Sequence, residues 1–121
     1  MKNLILFLSL ILFLSVGICQ AQDWTKQDTF LELGYEALVT VDLGQTHQFL
    51  SDGRREGNPV LGREPNRNRL NWWVFGVMVA HPLISYVLPK EYRNIWQIGS
   101  ITVELLTVTN NFAVGVVKLN Y

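Results

Sequence analysis

The sequence predicts an all-α protein, a compact bundle of three transmembrane helices after an N-terminal signal peptide or signal anchor. Three observations carry this. Leu70 to Leu88 is a nineteen-residue run without a formally charged side chain. The polar residues in the other long apolar stretches recur at helical spacing. The first 21 residues have the layout of a secretory leader. With 121 residues the chain is long enough for one domain. Its hydrophobic content of 49% and mean hydropathy of +0.17 are high for a small soluble domain. Lys and Arg balance Asp and Glu at 10 each, which selects no polyanionic partner. The single Cys excludes an intramolecular disulfide. No CxxC, zinc-finger spacing, P-loop, GxSxG or HExxH is present.

The leader reading covers residues 1–21. Lys2 supplies the positive region, Leu4 to Val16 the apolar core, and Cys19-Gln20-Ala21 a small-x-small cleavage site. The core is short for a span, which needs about 20 residues. An uncleaved signal anchor is the main rival. A lipoprotein reading has Ile18 where a small residue is wanted before Cys19.

The remainder, 22–121, reads as a single helical membrane domain with spans at about 28–50, 70–88 and 94–117 and a basic loop at 51–69. Thr25-Lys26-Gln27-Asp28 and Thr29-Phe30-Leu31-Glu32 both fit the capping-box pattern, so the first helix begins there. At 100° per residue, Glu32, Tyr35, Glu36, Val39, Asp42, Leu43 and Thr46 fall in an arc of about 120°. Phe30, Leu33, Gly34, Ala37, Leu38 and Val41 make up an apolar remainder. Glu32 reads as a cap. Glu36 and Asp42 face protein or water or are protonated, because an ionised carboxylate at mid-span costs roughly 2.5 to 3.5 kcal/mol; the alternative is a solvated face of an interfacial helix. The loop holds Arg54, Arg55, Arg63, Arg67 and Arg69 against Asp52, Glu56 and Glu64, with turn signals at Asn58-Pro59 and Glu64-Pro65-Asn66. Interspersed acids argue against nucleic acid.

The second span reaches ~28 Å, about one hydrocarbon thickness. Trp72, Trp73 and Tyr86 sit near its ends like interfacial belts. Pro82 frees the carbonyl of Met78 beside His81, and Ser85 lies one turn away on the same face. In the third span Gln97, Ser100, Glu104, Thr107, Asn111 and Gly115 form one stripe that begins at Arg93. The terminal segment, Phe112 to Tyr121, also reads as an alternating strand. The mature length is short for an eight-stranded barrel, and the interior period is helical.

With the mature N-terminus periplasmic, Lys2, the five loop Arg and Lys118 lie inside, and Lys26, Lys90 and Arg93 lie outside. That agrees with the positive-inside rule and places the protein in a bacterial inner membrane with loop and C-terminus cytoplasmic. In this arrangement Glu36, Asp42, His81 and Glu104 fall within roughly 5 Å of the midplane, each on its helix's polar face. The expectation is a buried polar cluster of these four, supported by Gln45, Ser85, Gln97, Ser100 and Asn111. Such a cluster is structural glue between helices, a proton or ion site, or a divalent metal site; a hydrolytic centre lacks an activated nucleophile. Partners expected are the lipid bilayer and a membrane partner or second copy, with no nucleic acid. A pore-forming lysis protein is a further alternative suggested by small size and several spans.

Trp24-Thr25-x-x-Asp28-Thr29, Glu32, Asp42-x-x-Gln45-Thr46, the loop motif Glu56-x-Asn58-Pro59-x-Leu61-Gly62, His81, Leu88-Pro89, Arg93, Trp96-Gln97, Glu104 and Asn111 together resemble a family of small uncharacterised multi-span membrane proteins of bacteria and their phages. The resemblance covers Trp24 to Val117. It implies a membrane location and no particular activity.

Overall fold

A computed structural model describes residues 24–54, 61–62 and 65–115. Among the described residues it contains three helices and no strand: α1 (Lys26–Ser51), α2 (Arg67–Val87) and α3 (Lys90–Ala113). Their lengths of 26, 21 and 24 residues correspond to roughly 32 to 39 Å at 1.5 Å per residue. The all-helical bundle expected from the sequence is the observed architecture. Among the described residues only α2 is long and apolar enough by itself to cross a membrane. The carboxylates of α1 and the polar stripe of α3 keep those two helices below the same standard, so three independent spans do not follow from helix composition. The leader reading of residues 1–21, the loop residues Glu56, Asn58 and Pro59, and the tail from Val116 lie outside the described residues.

Each helix starts and stops where local chemistry dictates. Thr25 is the N-cap of α1. Its hydroxyl accepts from the Asp28 amide at 3.2 Å, and the Asp28 carboxylate accepts from the Thr25 amide at 2.7 Å. This reciprocal box satisfies two amides that would otherwise lack partners. Of the two sequence-level boxes, the structure uses Thr25/Asp28, and Glu32 is not a cap but points into the bundle. Two turns later the helix is still intact, and it ends at Asp52 followed by Gly53 at φ 76. The loop is therefore shorter than 51–69. Asn66 caps α2, accepting from the Arg69 amide at 2.7 Å, so Arg67 and Arg69 belong to the first turn of that helix. Gly62, within the loop motif, has φ 82, a left-handed conformation open to glycine without strain.

The α2–α3 corner is two residues long. Leu88 precedes a proline, which disfavours helical backbone, and it is extended at φ −75, ψ 141. Pro89 then provides the N-terminal boundary of α3, its carbonyl accepting from the Arg93 amide at 2.8 Å. Pro82 sits inside α2 without ending it.

α1 is the central element: it packs most extensively on α3, less on α2, while α2 and α3 meet mainly near their shared corner. The buried face of α1 comprises Asp28, Glu32, Tyr35, Val39, Gly44, Gln45 and His47. On α3 it comprises Arg93, Gln97 and Val108, and on α2 Leu70, His81 and Ser85. The predicted stripe of α3 faces inward through Gln97 but drifts toward its end, where Val108 rather than Thr107 is buried. A Cβ at Gly34 would stand 4.0 Å from the α3 side chain Ile101, an ordinary van der Waals contact.

Removing the N-cap tests the local account. Thr25→Ala is expected to lower bundle stability by about 1 kcal/mol, read as a shifted midpoint in denaturant unfolding of the purified protein. An unchanged midpoint would show that the capping box contributes nothing to the folded state.

Candidate functional site

The largest fully buried side chains are Arg93, Gln45, Gln97, Asp28 and Ser85, and every one is polar. They fall into two networks, one at each end of the α1–α3 contact.

The first network centres on the Glu32 carboxylate. Oε1 accepts from Gln97 Nε2 at 2.8 Å and from the Ser85 hydroxyl. Oε2 lies 2.8 Å from His81 Nδ1. An α1 carboxylate is thus bonded to both other helices. Because Glu32 already accepts from two donors, the complementary assignment is that His81 Nδ1 carries the hydrogen and donates to Oε2. Ser85 Oγ also lies 3.0 Å from the His81 carbonyl, within its own helix. The imidazole stacks on Tyr35, with centroids 3.7 Å apart and planes 20° apart, and on Trp96 at 4.9 Å and 24°. All three helices contribute to this unit: Tyr35 from α1, His81 from α2 and Trp96 from α3.

Arg93 closes the same network at the α2–α3 corner. In a continuous helix the Ser85 carbonyl would accept from the amide of residue 89, but residue 89 is proline and has no N–H. Arg93 Nε donates to that carbonyl at 2.8 Å, and NH2 donates to the Leu88 carbonyl at 3.0 Å. NH1 lies 3.3 Å from Asp28 Oδ2, a pair buried on both sides. Burying an ion pair costs several kcal/mol in lost hydration, and only geometry that uses the remaining donors and acceptors offsets it. Here every guanidinium nitrogen has an acceptor, and Asp28 keeps its two bonds from Thr25. Trp24 covers the guanidinium, 5.2 Å from its ring centre, and its indole meets Tyr86 at 6.0 Å. Gln97 Nε2 adds a bond to the Asp28 carbonyl at 3.2 Å.

The second network ties the other end of α1. Asn111 Nδ2 donates to Asp42 Oδ1 at 2.8 Å and to Gln45 Oε1 at 3.1 Å, while Gln45 Nε2 donates to the Val108 carbonyl at 3.2 Å. His47 Nε2 meets Asn71 Oδ1 at 2.8 Å and joins α1 to the first turns of α2.

The structure divides the four residues expected to cluster. His81 is held by Glu32, not by Glu36 or Glu104, and Asp42 belongs to the Asn111–Gln45 network at a different level. Glu104 lies within electrostatic range of Asp42 and Tyr35. Among the described residues no group of three or more His, Cys, Asp or Glu is arranged to hold a metal ion. The reason is rotational: Glu32 and Glu36 share the arc, and depth alone favours Glu36, yet only Glu32 meets His81. The supporting residues Gln45, Ser85 and Gln97 are fully buried, whereas Ser100 and Asn111 are half-buried.

Asp28, Glu32, His47 and the Tyr35–His81–Trp96 stack are site residues that sequence reasoning assigned elsewhere or passed over. Asp28 and Glu32 lie one turn apart on the arc that also carries Tyr35 and Glu36, and that shared arc was the available signal. Ser85 Oγ bonds Glu32 and a carbonyl rather than the imidazole, so this is not the nucleophile–base geometry of acyl transfer. Buried and without a hydrogen-bond partner are His81 Nε2, Trp96 Nε1, Gln97 Oε1 and Glu36 Oε1. Comparisons with protein-family models, with curated proteins and with solved structures returned no match.

Glu32→Ala leaves the Gln97, Ser85 and His81 donors without an acceptor in the bundle interior. The expected loss is about 3 kcal/mol or more, measured by denaturant unfolding. Glu36→Ala, which breaks no side-chain hydrogen bond to another helix, is expected to cost about 1 kcal/mol or less. Equal effects of the two would contradict the assignment of Glu32 as the joining carboxylate.

Proposed function

We propose that this chain is a small integral membrane protein whose three helices sit together in a lipid bilayer, with the buried polar network holding the helices in register and the protein acting through assembly with a membrane partner or a second copy. The observation that carries this reading is the inverted distribution of polarity. The interior is filled by Asp28, Glu32, Gln45, His81, Ser85, Arg93 and Gln97, while Phe30, Trp72, Ile95 and Leu106 are 66–73% exposed.

In water such an arrangement is unfavourable on both counts. Each large apolar side chain left exposed forgoes roughly 1.5 to 3 kcal/mol of burial, and each buried polar group sheds its hydration. In hydrocarbon the balance reverses. Lipid solvates the outer apolar side chains as well as a protein core would, so apolar burial no longer drives helices together. Interhelical hydrogen bonds and packing then supply the cohesion. The Glu32 and Arg93 networks are of this kind, and they consume most of their own donors and acceptors. Satisfied groups with fixed partners suit a structural role better than turnover.

The orientation follows from charge. Arg54, Arg67 and Arg69 lie at one end of the bundle, in or beside the α1–α2 loop, and the α2–α3 corner carries Lys90. The positive-inside rule assigns the Arg-rich end to the cytoplasm and the corner to the opposite side of a bacterial inner membrane.

Two measurements test this. The protein is expected to remain with the membrane pellet after an alkaline carbonate wash; release into the supernatant would overturn the integral-membrane reading. For orientation, Glu91→Cys should react with a membrane-impermeant maleimide in spheroplasts while Arg54→Cys reacts only after lysis. The opposite labelling pattern would reverse the topology.

A further inference from the structure

The groove between α1 and α3 has a volume of about 400 Å³ and is lined by Tyr35, Trp96, Gly99, Val103 and Glu104 among others. That is within the size range of small-molecule sites. Its walls are mostly apolar, with Ser100 among them, and the carboxylate of Glu104 stands in them half-buried. Among the described residues Glu104 has no hydrogen bond or ion pair. Every other carboxylate along the contact between α1 and α3, apart from Glu36, has partners: Asp28 has Thr25 and Arg93, Glu32 has Gln97, Ser85 and His81, and Asp42 has Asn111.

Charge along the helices sharpens this. Residues 27–51, 70–89 and 94–113 contain no Lys or Arg at all, yet they carry Asp28, Glu32, Glu36, Asp42 and Glu104. The one cation buried against them, Arg93, is paired with Asp28 at the far end. Glu36 Oε1 is a second buried acceptor without a partner, next in sequence to Tyr35. The middle of the bundle therefore holds two carboxyl groups, Glu36 and Glu104, that no Lys or Arg side chain balances, and ionising either without a counter-ion at span depth is unfavourable.

We propose that this groove binds a lipophilic organic cation, with the Glu104 carboxylate as counter-ion and the Tyr35 and Trp96 rings as aromatic walls. A carboxylate and aromatic faces in one apolar recess are the recognition chemistry of substituted ammonium and phosphonium groups. An inorganic cation is a poorer fit, since hard metal ions take six or more oxygen ligands and this groove offers one carboxylate among apolar walls. Gly99 leaves room on the α3 side, with nothing within 4 Å of where its Cβ would stand. The membrane reading enters only in the route of access, from the bilayer into a groove that faces it. Binding itself is measured on the purified chain, so failure of this assignment and failure of the membrane reading are separate results.

The test uses the full chain in detergent micelles and equilibrium dialysis with tetraphenylphosphonium, alongside the neutral triphenylphosphine oxide. Saturable binding of one cation per chain is expected, at least about tenfold tighter than the neutral compound. Glu104→Gln should reduce affinity for the cation by about tenfold or more and leave that for the neutral compound unchanged. Glu104→Asp should keep the preference for the cation, and Glu91→Gln, at an exposed position, should bind like the parent. Equal affinity for the charged and neutral compounds in the parent chain would overturn the proposal, as would undiminished cation binding by a folded Glu104→Gln protein. If that variant does not fold, the comparison of charged with neutral compound on the parent chain decides alone.

Discussion

Glu32 is a side chain to which all three helices answer. It projects from α1, accepts from Ser85 and His81 of α2 and from Gln97 of α3, and is nearly inaccessible. In a bundle with few apolar side chains inside, this carboxylate does what a cluster of leucines does in a soluble core, by a different physical route. A leucine core tolerates sliding, since dispersion and burial have little direction. A carboxylate with three fixed donors does not. It sets the rotation of α1, the depth of α2 and the register of α3 at once. The Tyr35–His81–Trp96 stack follows from this setting, because the imidazole held by Glu32 has its faces left for aromatic rings.

The corner between α2 and α3 extends the same economy of polar groups. Pro89 removes the amide that would have served the Ser85 carbonyl, and Pro89 also forces Leu88 out of the helical region. A free carbonyl beside a buried network would be unfavourable. Arg93, one turn into α3, occupies the missing donor's place and still reaches Asp28. Turn, ion pair and helix end are consequences of one proline and one arginine four residues apart. The Trp24 ring over the guanidinium ties the entry of α1 to this corner as well.

These two constraints act at one end of the bundle. The Asp42–Gln45–Asn111 set and the His47–Asn71 bond act at the other. Between them lies the stretch where the carboxyl groups of Glu104 and Glu36 have no comparable partners, and there the α1–α3 surface opens into a groove. A polar bundle whose ends are bonded across helices and whose middle carboxyl groups lack a counter-ion differs from one that is only glued. The imbalance is a property of the arrangement, since the same carboxylates spread along a solvated helix would have no consequence.

Much of the architecture was legible in the residues. Helical spacing of polar groups, the Thr25–Asp28 box, the Leu88-Pro89 stop and the charge-free run from Leu70 mark three helices and their order, because caps, prolines and periodicity act through neighbours in sequence. Boundaries moved by a few residues where Asn66 and Pro89 set the true ends. The inward faces of α1 and α3 were visible as arcs, with Gln97 a member of the second, and His81 and Ser85 shared one face of α2. What sequence alone did not determine was which members meet. The arc admits both Glu32 and Glu36 as partners for His81 and depth favours Glu36, so the observed choice of Glu32 depends on how far α1 is rotated against α2. That rotation is decided by contacts between residues about fifty positions apart, of which the Glu32–His81 bond is one. Only the tertiary structure could place Glu32 at the centre, separate Asp42 from His81 and leave Glu104 facing a groove.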